Sequence, residues 1–89
     1  MKIVGDYVLR EVAGDTILVP VGSTALQFNG ILALEPVGAL IWKGIIAGKN
    51  KEELLSDILE QFEIDSETAA NDLNEFLLQL QTENLLIVD

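Results

Sequence analysis

The chain has 89 residues, 49% of them hydrophobic, with no cysteine, no histidine and a net charge of −10. That length makes one domain, residues 1–89, near the lower end of what a single hydrophobic core stabilises, and the apolar content sets it apart from a disordered acidic tail. Without cysteine or histidine the usual nucleophile, general base and metal ligands are missing, so no catalytic residue, metal or cofactor is expected.

The charge is unevenly placed. Lys2, Arg10, Lys43 and Lys49 balance Asp6, Glu11, Asp15 and Glu35 over residues 1–50, whereas residues 51–89 hold eleven acids against Lys51 alone. The second half is therefore an anion that repels nucleic acid and anionic membrane; it is either a solvated face kept for solubility or a surface suited to a basic partner. Acids and Arg10 interrupt the start of the chain, which excludes a signal peptide, and no apolar run approaches the roughly 18 residues of a membrane span. A cytoplasmic protein is expected.

Tyr7 to Val12 (YVLREV) is rich in β-branched and aromatic residues, and Ala13-Gly14-Asp15 after it supplies turn chemistry. A second strand is expected over residues 16–21, with Ile17, Val19 and Val21 on one face. Pro20 belongs where its nitrogen faces outward or where pairing ends. Asn29-Gly30 signals a tight turn before a third strand over 30–34, and leaves open a small extra strand at Ala25 to Phe28.

Glu35-Pro36 ends that strand, and apolar residues then resume at helical spacing, with Pro36 suited to a first helical position. The helix expected over 36–47 is apolar almost all round, which predicts burial at the centre of the fold. Gly48 stops it. Asn50 and Glu53 form a capping-box pair for a helix over 51–62, whose Leu54, Leu55, Ile58, Leu59 and Phe62 make one apolar face. Asp65 or Ser66 opens a last helix over 66–84, in which Ala69, Ala70, Leu73, Phe76, Leu77 and Leu80 share a sector and Leu78 points away. Leu85 to Val88 is a short apolar tail that could dock on the sheet or extend it.

No GxGxxG, GxxxxGK[ST] or EF-hand spacing occurs. Strands followed by three helices suit a winged helix, but the last helix carries Glu67, Asp72, Glu75 and Glu83 and no lysine or arginine, which excludes DNA reading by that face. An acyl or peptidyl carrier would share the size and acidity and would attach its cofactor at a helix-opening serine. Here Asp65-Ser66 is followed by Glu67 in place of leucine, and the β-rich first third does not suit an all-helical carrier. A structural dimerisation domain, with the apolar tail exchanged between chains, is a third reading, so monomer and homodimer both stand.

The strand-rich start, FNGILALEPVGALIW at Phe28 to Trp42, the helix opening Gly48-Lys49-Asn50-Lys51-Glu52-Glu53, Phe62-Glu63-Ile64-Asp65 and Asp72-Leu73-Asn74-Glu75-Phe76-Leu77 together resemble the PqqD-like family. That family is named for the pyrroloquinoline-quinone biosynthesis protein D and includes recognition elements of ribosomally made, modified peptides. The resemblance implies an α+β, winged-helix-like fold, a three-stranded antiparallel sheet followed by a three-helix bundle. It implies a non-catalytic peptide chaperone that binds a precursor's leader segment by β-strand addition for a modifying enzyme of the radical S-adenosylmethionine type. Carried onto this chain, Gly30, Ile31, Leu32, Ala33 and Leu34 would pair with the peptide, and Phe76, Leu77 and Leu80 would wall the cleft. Asp72, Gln79 and Glu83 would lie beside Phe76 as a rim favouring Lys or Arg in the leader. Phe76 and Leu80 at helical spacing fit a core as well as a groove. Glu35 replaces the asparagine common after the third strand in that family; it is expected to act on the helix cap and not on the groove.

Overall fold

The architecture is given by a computed structural model that describes residues 1–27 and 30–88. In chain order the elements are β1 (Lys2–Ile3), β2 (Tyr7–Val12), β3 (Asp15–Pro20), α1 (Thr24–Gln27), β4 (Leu32–Leu34), α2 (Pro36–Ile46), α3 (Lys51–Gln61), α4 (Ser66–Thr82) and β5 (Leu86–Ile87). The fold is α+β: β2, β3 and β4 form a three-stranded antiparallel sheet in that order, followed by three long helices.

Ala13 and Gly14 link β2 to β3 with φ of 53° and 86°, the pair of left-handed residues that a two-residue hairpin matching the strand twist requires. Just beyond the ladder the Val21 N–H donates to the Asp6 carbonyl at 3.0 Å, which makes Asp6 and Val21 a hydrogen-bonded pair. Antiparallel pairs alternate, so Val8/Val19 and Arg10/Ile17 also bond across β2–β3, while Thr16 and Leu18 turn their backbone groups toward β4. Pro20 turns the same way, past the last β3–β4 pair at Leu18/Leu32, so its missing donor falls where pairing ends.

Leu18, at 1% exposure, marks the inner face of the sheet, with Leu9 and Leu32 beside it; Val8, Ile17 and Val19 lie on the opposite face. The helices cover the inner face. α2 is central, burying Ala39, Ile41, Trp42 and Ile45, and Trp42 meets the Tyr7 ring edge-to-face at 5.7 Å between centroids. α3 contributes Leu54 and Ile58, and α4 contributes Ala69, Leu73, Leu77 and Leu80. Leu78 points to solvent at 63% exposure.

The caps form where local chemistry favours them. Asn50 Oδ1 accepts from the Glu53 N–H at 2.9 Å and Glu53 Oε1 accepts from the Asn50 N–H at 3.1 Å, a complete capping box. Asp65 Oδ1 accepts from the Thr68 N–H at 2.7 Å, and hydrogen bonding from Thr68, its side chain first and this N–H second, holds the Asp65 carboxyl below its usual pKa. Lys49 pairs with Asp57 on α3, which raises the Lys49 pKa.

Several features depart from the sequence expectation, among them two strand bounds: β3 covers Asp15–Pro20 in place of 16–21, and β4 covers Leu32–Leu34 in place of 30–34. Thr24–Gln27 is a helical turn and not a fold-back strand, begun by bonds from Ala25 N–H to Gly22 O and Leu26 N–H to Ser23 O. Phe28 and the Asn29-Gly30 turn signal fall partly outside the described residues. The tail joins no edge of the three-stranded sheet: Leu86–Ile87 pairs antiparallel with Lys2–Ile3, which brings the two chain ends together in a second sheet. The long helices also stop slightly short of their expected ends, with Ala47, Phe62 and Glu83 as C-caps.

Candidate functional site

Among the described residues β4 has β3 on one side and no strand on the other, so the sheet ends in an open edge. Because Leu32 and Leu34 bond toward β3, the outward backbone N–H and C=O belong to Ala33. The side chains alternate the other way, with Leu34 buried and Leu32 half-buried against the helices and Ala33 on the outer side.

Beside this edge lies an open cleft of about 540 Å³. Ala33 and Leu34 form one wall, Glu35 to Gly38 and Ile41 the junction and first turns of α2, Phe62 one end, and Asp72, Glu75, Phe76 and Gln79 the α4 wall. The four α4 residues recur at helical spacing and so share one face. Gly38 sits under the Phe76 ring; a Cβ there would lie 2.9 Å from the ring's edge. Phe76 is half-buried, one flank packed on the core and one on the cleft.

The expected peptide-binding residues therefore divide. Ala33, Leu34, Asp72, Phe76 and Gln79 meet around one cleft, and Leu32 sits next to Ala33 in the same strand. Gly30 and Ile31 precede β4, with Ile31 61% exposed. Leu80 is fully buried and Leu77 is 6% exposed; neither lines the cleft, and both lie in the core that supports α4 from behind. Glu83 is the exposed C-cap of α4, outside the cleft lining.

Glu35 departs from its expected role. It stands at the N-cap position of α2 with extended backbone, yet its side chain makes no cap hydrogen bond, and only its carbonyl is used, accepting from the Ala39 N–H at 2.9 Å. Glu35 is instead one of the residues that line the cleft. Glutamate is absent from the short side chains that cap well, because its extra methylene carries the oxygens past the first N–H groups. Glu75 is a further acidic lining residue that sequence reasoning missed, although its three-residue spacing from Asp72 was the available signal.

Among the described residues no cluster of acids could hold a metal ion, and no helix is long and apolar enough to cross a membrane. What the arrangement offers is an unpaired strand edge, an apolar floor and an acidic rim, the features of a small binding module.

The family model of coenzyme PQQ synthesis protein D (PqqD) matches residues 15–86, from β3 to the first residue of β5. The chain belongs to the PqqD family. Among solved structures it is similar to that of TbiB1 in complex with the TbiA(beta) leader peptide, with 27% identity, a TM-score of 0.75 and full coverage of both chains. Among curated proteins no sequence matches the chain.

Proposed function

We propose that this protein binds the leader segment of a ribosomally synthesised precursor peptide by strand addition to β4, and presents it to a modifying enzyme of the radical S-adenosylmethionine type. It acts by binding and needs no cofactor. The observation that carries this reading is the open β4 edge lying against an apolar cleft, so that one extended segment can bond to Ala33 and seat side chains on Phe76 at once. Backbone pairing supplies affinity for any extended segment, and the cleft supplies selectivity. Family membership and the likeness to a protein solved with a leader peptide support the choice of occupant. The enzyme class rests on the family resemblance and is tested by inspecting the reading frames beside the gene: a short peptide frame next to a radical S-adenosylmethionine maturase, whose co-expression with the chain yields a peptide of altered mass, supports it, and a neighbourhood without such a pair overturns it.

The register chooses the test of strand addition. Proline at Leu32 would break the β3–β4 ladder, whereas Ala33→Pro removes the outward donor and leaves that ladder intact. Peptides selected from a random display library on the wild-type chain should lose roughly tenfold or more in affinity for Ala33→Pro, about 1.4 kcal/mol, with an unchanged circular dichroism spectrum. Retained affinity in a folded Ala33→Pro protein overturns the reading. Phe76→Ala provides a second measure, with an expected binding loss of about 1 to 3 kcal/mol.

A further inference from the structure

The apolar floor of the cleft is bordered by Glu35, Asp72 and Glu75, which come from the β4–α2 junction and the middle of α4, and no lysine or arginine lines the cleft with them. None of these three has a hydrogen-bond or ion-pair partner for its carboxylate among the described residues. The contrast with other acids of the chain is sharp: Asp65 and Glu53 are committed to helix caps and Asp57 to Lys49. A basic side chain bound in the cleft would meet carboxylates that no partner within the fold already occupies.

Strand geometry adds a spacing. A segment that bonds to Ala33 places the residue opposite it on the outer face of the sheet, where the Ala33 side chain lies. Its two neighbours, opposite Leu32 and Leu34, then point toward the helices and into the cleft. Two residues of the segment, separated by one, thus share a cavity with apolar walls at Phe62, Phe76 and Ile41 and a carboxylate border.

Resting on the strand-addition reading, we propose that the cleft selects leader segments in which a lysine or arginine stands two residues from a large apolar side chain. The apolar group seats on Phe76 and Phe62, and the cation lies among Glu35, Asp72 and Glu75. A second copy of this chain is a poor occupant, since it brings a further net charge of −10 to an acidic rim.

The experiment is a random peptide-display selection on the full chain, run in parallel on wild type and on the variant Glu35→Gln, Asp72→Asn, Glu75→Gln. The wild-type pool should be enriched in Lys or Arg two positions from an aromatic or aliphatic anchor. The neutralised variant should keep the anchor and lose the basic preference. A wild-type-selected peptide should bind the variant roughly tenfold more weakly, and added salt should weaken its binding to wild type but not to the variant. A pool without basic enrichment, or one whose enrichment persists in the variant, overturns the charge assignment while strand addition stands. A selection that yields no binder, or binders indifferent to Ala33→Pro, overturns the strand-addition reading itself.

Discussion

Gly38 and Gly44 lie on the same helix and face opposite surroundings. Gly44 is packed under α3, where an added Cβ would run into a methyl of Leu54, and Leu54 is itself 1% exposed with no room to retreat. Gly38 is packed under Phe76, whose ring has the open cleft on its other flank. One end of α2 is therefore sealed by the core, and the other is closed on one side only. At the sealed end a change of shape acts on stability; at the open end, on the proposed function, it acts on what the cleft accepts.

The largest effect that tests this division is at Leu80, assigned here to the sealed side. Leu80→Ala should cost about 2 to 5 kcal/mol in denaturant unfolding, while the folded fraction binds selected peptides as before. Lost affinity without lost stability would place Leu80 in the groove and break the division. Next come the two glycines. Gly44→Ala should destabilise by about 1 to 3 kcal/mol through overpacking, partly offset by a gain of about 1 kcal/mol in helix propensity. Gly38→Ala should stay within about 1 kcal/mol of wild type, because Phe76 can turn aside, yet bind peptide several-fold more weakly because the ring then occupies the cleft. Equal stability losses at both positions would erase the contrast.

The smallest effect compares two acids at N-cap positions. Asp65 is bonded to Thr68, and its depressed pKa means that the unfolded chain binds more protons in the window just below the ordinary carboxylate value. Stability from this group is complete above about pH 4 and is lost as pH falls through the folded-state value. Asp65→Asn should therefore flatten the acid limb of the melting-temperature profile. Glu35→Ala removes no cap bond, so its effect should appear in peptide binding rather than in the melting temperature.

What could be read from the chain followed from local rules. The alternation of Tyr7 to Val12, the Ala13-Gly14 turn, Pro36 opening and Gly48 closing α2, and the Asn50–Glu53 box each depend on residues within a few positions of one another. The β1–β5 pair does not, because each strand has two residues and its partner lies at the other end of the chain. The apolar sector of α4 was legible as a whole but not in its parts: six residues share it, and only the placement of α2 and β4 decides that Phe76 meets the cleft while Leu77 and Leu80 fill the core.

By itself, then, the sequence determined the order of the main elements and the acidity of the helical half, properties of composition and short-range spacing, while a resemblance carried by motifs spread along the chain implied the class of fold. Tertiary structure alone decided that the cleft lies beside the free edge of β4, that Ala33 carries the outward backbone groups there, and that Glu35 lines the cleft without a side-chain bond to its helix cap. Those depend on strand register and on contacts between residues distant in the chain, and no periodicity along one element encodes them.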